Sequence, residues 1–200
     1  GEFAKSDQEL TQHLIILLSD DHPNIRKQAA ISLGNSESAA AFPALLLVLD
    51  DLNAIVRRAA VTGLGTYLSH YPQEHYYHQV LEKLADVLEN RCRRYEDGLL
   101  KIEICLALHQ IPSDQSTERL LQLAHDLDFD VRKSAILALG SFHAQKLTII
   151  PVLVPFLHDD HWSVREAAVT ALGLLHAKEV EAHLLQLLED PDIAVRKAVF

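Results

Sequence analysis

A ten-residue phrase returns along this chain at a nearly fixed interval, and that return restricts the possible folds more than any other feature. The phrase reads IRKQAAISLG from Ile25 to Gly34, VRRAAVTGLG from Val56 to Gly65, VRKSAILALG from Val131 to Gly140 and VREAAVTALG from Val164 to Gly173. A further copy opens at Val195 as VRKAVF. The arginines are Arg26, Arg57, Arg132, Arg165 and Arg196. Three of the intervals between them are nearly equal, at about 30 residues, a period typical of arrays of stacked supersecondary units. The interval from Arg57 to Arg132 is more than twice as long. LKIEICLALH (Leu100 to His109) fits the same frame, with Lys101 in the arginine position, and divides that interval into a long first part and an ordinary second part. The third unit therefore carries an insertion, around 67–94. Two further marks keep the register. An aspartate stands six residues ahead of each arginine, at Asp20, Asp51, Asp126, Asp159 and Asp190, with Tyr95 in its place in the third unit. A proline stands fourteen residues ahead, at Pro43 and Pro151.

Each unit reads as two helices. The first is an apolar segment such as LIILL (Leu14 to Leu18), ALLLVL (Ala44 to Leu49) or HLLQLL (His183 to Leu188). A short polar turn leads into the second. Asn24, Asp130 and Ser163 are expected to be its N-caps, because a side-chain oxygen there accepts from the unpaired N–H groups of the first turn. Gly34, Gly65, Gly140 and Gly173 are expected to end it in a left-handed conformation. Val131, Ala135, Ala138 and Leu139 fall on one helical face, and the small alanines allow close approach between neighbouring second helices. One helix pair cannot bury both of its faces, whereas stacked pairs can.

The aspartate, the V-R pair, the double alanine and the L-G ending, in units of this short period, resemble the short HEAT-like repeats of the phycobilisome-lyase type. The resemblance covers the chain from about Asp7 to Phe200. It implies an all-α fold, an α-solenoid of about six two-helix repeats, with first helices on the convex side and second helices lining the concave side. The repeats are expected over about 7–35, 36–66, 67–111 with the insertion, 114–142, 145–175 and 177–200, the last truncated, within a single domain spanning 1–200. Gly1-Glu2-Phe3 reads as a cloning remnant, and the chain as a fragment of a longer protein. Members of the family include bilin lyase subunits, phycobilisome-degradation factors, iron-binding hydroxylases and adaptor domains, so the fold does not settle the function.

Charge narrows the choice. A formal net charge of -10 and a pI near 5.6 argue against a nucleic-acid partner, which needs a basic face. Cys92 and Cys105 are too few for a disulfide framework, and a reducing, cytoplasmic setting is expected. No apolar run approaches the roughly 20 residues of a membrane span.

The repeated Asp and Arg residues invite a catalytic acid–base reading. A charge pair present in every unit is better explained by the fold, so Asp20, Arg26, Asp51, Arg57, Asp126, Arg132, Asp159, Arg165, Asp190 and Arg196 are expected to form a structural ladder. Two histidine clusters invite a metal reading: His158-Asp159-Asp160-His161, and His70, His75 and His78 of the insertion. Neither includes a cysteine, and Asp159 belongs to the ladder, so no metal site is assigned and no cofactor is expected. The hydroxylases of the family use His-Glu dipeptides at the start of their second helices, and none occurs in this chain. Cys105 is expected in the core. Cys92 lies among Arg91, Arg93 and Arg94, which favour a thiolate.

The remaining chemistry is recognition. The third and seventh positions of the phrase should face the concave groove: Lys27 and Ile31, Arg58 and Thr62, Ile102 and Leu106, Lys133 and Leu137, Glu166 and Thr170, then Lys197. Ile31, Ile102, Leu106 and Leu137 are bulky and apolar, and basic residues flank them, which suits an acidic amphipathic helix of a partner protein. In the third unit the alternative is a shifted register that sends Ile102 and Leu106 into the core. The insertion, with Tyr71, Tyr76, Tyr77, Arg91, Arg93 and Arg94, is a second candidate contact region. The expected function is a non-enzymatic adaptor that holds another protein. The alternatives are a bilin lyase subunit or phycobiliprotein-handling factor, and a metal or iron–sulfur handling protein.

Overall fold

The structure is a computed structural model that describes residues 2–71, 74–91 and 98–200, and the side chains of 8–71, 76–90 and 98–200. Among these residues the chain is all-helical, without a strand, and it is an α-solenoid of helix pairs. The pairs are α1 (Glu2–Leu17) with α2 (Pro23–Gly34), α3 (Ala41–Val48) with α4 (Ala54–His70), α5 (Glu74–Arg91) with α6 (Gly98–His109), α7 (Asp114–Leu123) with α8 (Phe129–Leu139), α9 (Lys146–Leu153) with α10 (Trp162–Leu174), and α11 (Glu181–Gln186) with α12 (Ile193–Ala198). The chain divides into two compact units, 1–111 and 112–200. In the first, α2, α4 and α6 pack side by side; in the second, α8, α10 and α12 do so.

The apolar face read from the phrase is the face that is buried. Val131, Ala135 and Leu139 are fully enclosed and Ala138 nearly so. The degenerate third unit keeps the same register. Leu100, Ile104, Cys105, Ala107 and Leu108 of α6 are buried, whereas Leu106 points outward. The shifted-register alternative is thereby excluded, and Cys105 lies in the core.

Two local expectations are corrected. The second helices begin two residues earlier than expected, so Asn24, Asp130 and Ser163 sit inside the first turn. The caps are His22, Asn53, Asp128 and Asp192, each accepting from the N–H two residues on. His161 occupies the cap position of α10 and makes no side-chain cap bond. The ladder aspartate sets this start: its carboxylate accepts from the backbone N–H of the cap residue, for example Asn53 N–H to Asp51 at 2.7 Å, so the turn closes early.

The glycines are not left-handed either. No described glycine has positive φ, and α4 runs through Gly65 to His70. Gly34 and Gly140 serve close approach instead. A Cβ on Gly34 would sit 2.7 Å from the Gly63 backbone, and one on Gly140 would sit 2.8 Å from Ala171 Cα. The insertion is absorbed largely as helix: α4 has 17 residues and α5 has 18. In the second unit, Pro151 and Pro155 each remove a backbone donor, and the first helix ends as a 3₁₀ segment, Val154–His158.

Candidate functional site

Arginine and aspartate alternate along each stack. Arg26 donates from Nε and Nη2 to both carboxylate oxygens of Asp51, at 2.7 and 2.9 Å. Arg132 does the same to Asp159 at 3.0 and 2.9 Å, and Arg165 to Asp190 at 2.8 and 2.9 Å. Each of these arginines thus grips the aspartate of the following unit, in the bidentate geometry that suits a planar guanidinium. Nη1 meanwhile donates to carbonyls of the arginine's own turn, as Arg132 does to Asp126 at 3.0 Å. The hydrogen bond from Arg26 holds the Asp51 carboxyl below its ordinary range, and that from Arg165 does so at Asp190. At Asp159 burial is the largest influence and pushes upward, but the Arg132 bond, the His161 N–H and the neighbouring charges outweigh it.

The predicted groove positions lie on the outward side of the second helices. In the first unit Lys27, Ile31, Arg58 and Ile102 are half-buried, Thr62 is exposed, and Leu106 is 54% exposed. In the second, Lys133 and Glu166 are half-buried, Thr170 and Lys197 are exposed, and Leu137 is 36% exposed. Sequence reasoning missed Glu103 of α6. It accepts from Thr62 Oγ1 at 2.9 Å and lies 3.8 Å from Arg58, so a carboxylate partly neutralises what was read as a basic flank. The signal was present, since Glu103 follows Ile102 on the same helical side.

Within the insertion, Tyr71 and Tyr76 join an aromatic cluster. Tyr76 lies 4.1 Å from Phe42 between ring centroids, and Tyr71 lies 5.0 Å from Tyr67. Burial, followed by the neighbouring Tyr76 phenol, pushes the Tyr67 phenol up to about 12. Tyr77 is half-buried. The side chains of His75, Arg91, Cys92, Arg93 and Arg94 lie outside the described residues. Among those that are described, no three His, Cys, Asp or Glu side chains converge as metal ligands. His161 stacks on Phe129 at 3.7 Å and bonds to Ser163, while Asp159 is taken by Arg132.

A second concavity was not foreseen. A cleft of about 580 Å³ opens between the first helices α3 and α5. Pro43, Leu46 and Leu47 form its apolar floor, and Asp50, Glu82, Lys83 and Asp86 its charged rim. Leu47 is 77% exposed, and an unbroken apolar run such as ALLLVL does not show which of its leucines faces outward. No single helix among the described residues is long and apolar enough to cross a membrane.

The sequence profile of HEAT repeats matches residues 4–65 and 150–200. No curated protein sequence matches the chain. The Escherichia coli protein YibA is similar in structure, with a TM-score of 0.69 at 19% identity, over 100% of this chain and 73% of its own. The complex of CpcE and CpcF of phycocyanin lyase from Nostoc sp. PCC7120 gives 0.66 at 21% identity, over 94% and 74%. A designed armadillo repeat protein in complex with the peptide (KR)4 gives 0.60 at 18% identity, over 96% of each chain. At these identities the likeness is one of fold.

Proposed function

Because the chain belongs to the HEAT-repeat family, we propose that it is a scaffold that holds a partner protein against the outward face of its second helices. The observation that carries this reading is the exposure of Leu106 and Leu137 at the same frame position, where solvent would otherwise favour a polar side chain. Apolar side chains grouped on a protein surface mark contact sites. In the first unit Ile31, Thr62 and Leu106 follow one another across α2, α4 and α6, and Lys27 and Arg58 lie one turn away. That arrangement suits an amphipathic helix with an acidic side. Two structures of the same fold hold another polypeptide: CpcE is complexed with CpcF, and the designed armadillo protein with its peptide.

The test is affinity capture from the source organism's lysate, comparing the wild type with Ile31→Glu/Leu106→Glu/Leu137→Glu after circular dichroism shows that the variant is folded. A protein retained by the wild type and lost by the variant is the expected result. Equal retention by both would remove this face from the proposal and turn attention to the cleft between α3 and α5. Capture of a pigment with a shifted absorbance band, and no protein, would replace the scaffold reading with bilin handling.

A further inference from the structure

We propose that the cleft between α3 and α5 is a second docking surface, separate from the face of the second helices, and that it takes a short basic amphipathic helix of a partner protein.

Two unlike walls form the cleft. α3 reads AFPALLLV and carries no charged residue. It buries Phe42, Leu45 and Val48 and turns Pro43, Leu46 and Leu47 into the cleft, where Leu47 is 77% exposed. α5 is amphipathic. Val80, Leu84 and Val87 recur at helical spacing and are fully buried or nearly so. Gln79, Glu82 and Asp86 lie on the flank beside that stripe and line the cleft. Stacked units gain stability by burying apolar faces against one another, but this apolar side of α3 meets the polar flank of the insertion helix. The walls do not satisfy each other, and a space of about 580 Å³ stays open between them. That size lies within the range of clefts that hold ligands, roughly 300–1,000 Å³.

The charges select the occupant. Lys83 is the one cation among the lining residues. It is already engaged, by Asp50 at 2.5 Å and Asp86 at 3.7 Å. Asp50, Glu82 and Asp86 outnumber it, so the rim is net negative. All three carboxylates are open to solvent, with side chains 43%, 70% and 50% exposed, so an arriving cation reaches them without entering the core. A helix with aliphatic residues one turn apart would lay them on Leu46 and Leu47. Lysines or arginines on its neighbouring side would run along Glu82 and Asp86, which are themselves one turn apart. A second copy of this chain is a poor occupant, because its net charge of -10 repels the rim. An acidic segment, the chemistry suited to the second helices, is repelled here for the same reason.

The test uses two synthetic peptides of about 15 residues, long enough to form a helix, with leucines one turn apart and either lysine or glutamate on the polar side. Binding is read by fluorescence anisotropy, and its place by the methyl NMR signals of Leu46 and Leu47. The lysine peptide should bind and move those signals, and the glutamate peptide should do neither. Glu82→Lys/Asp86→Lys should weaken binding by about tenfold or more, since attraction at the rim becomes repulsion. Leu47→Ser, a change at an exposed position that leaves the fold intact, should weaken it too. Asp160→Lys/Glu179→Lys makes the same charge change on exposed residues of the second unit and should leave binding as it was. The proposal is overturned if the lysine peptide does not bind, if the two charge-reversal variants weaken it equally, or if the Leu47 signals stay in place. Movement of those signals with protein concentration alone would also overturn it, because a second copy would then be the occupant.

Discussion

Arg132 makes four hydrogen bonds at once, two to Asp159 and two to turn carbonyls, whereas Arg57 makes only the turn pair among the described residues. Hydrogen bonds to charged groups contribute about 1.5–3 kcal/mol when sheltered. Arg132→Ala should therefore lower the melting temperature by several degrees, at roughly 2–4 °C per kcal/mol for a chain of this size. Arg57→Ala should lower it by clearly less. Thermal denaturation of the two variants side by side checks this, and equal losses would mean that the inter-unit carboxylate adds nothing. The ladder also sets a pH dependence. Asp51, Asp159 and Asp190 are held below their ordinary pKa in the folded chain, so the unfolded chain binds more protons as acid is added. The stability they confer is complete above the unfolded value of about 3.9 and is lost as pH falls through the lower folded value. Melting curves across that window should be flatter for Asp190→Asn than for the wild type.

At the scale of the element, the two glycine environments make opposite predictions. Gly140 faces Ala171 Cα so closely that an added Cβ would lie at 2.8 Å, while a Cβ on Gly173 would meet nothing within 4 Å. Gly140→Ala should force α8 and α10 apart and cost about 1–3 kcal/mol, the usual penalty of overpacking. Gly173→Ala, inside α10, should stabilise by about 0.4–1 kcal/mol, because alanine loses less backbone entropy on entering a helix. Urea denaturation of both variants gives the two signs directly. The phrase showed that these glycines matter but misassigned the reason. A glycine at the end of a helical pattern reads as a left-handed stop, and only the position of the neighbouring helix shows that its missing Cβ is what counts. The caps were misread for a related reason: the start of α2, α4, α8, α10 and α12 is set by a carboxylate three residues before each begins, which local preferences around Asn24 or Asp130 do not register.

At the scale of the whole molecule, a stacked array takes its stability from neighbour contacts, so a lesion should be felt mainly where it is made. Leu45, fully buried in the first unit, offers a test. Leu45→Ala should cost about 2–5 kcal/mol, and hydrogen exchange should show protection falling more within residues 1–111 than within 112–200. Uniform loss over both would show a single cooperative body. The helix pairs, their buried face and the register of the interrupted third unit were all legible in the sequence, because repetition reports the same physical demand several times over. The direction of each ladder bond, the reach of Glu103 to Thr62 and the outward turn of Leu47 were not legible. Each depends on where a neighbouring unit places its atoms. The sequence determines what every unit must bury, and the stacking alone decides which polar groups meet and which are left open.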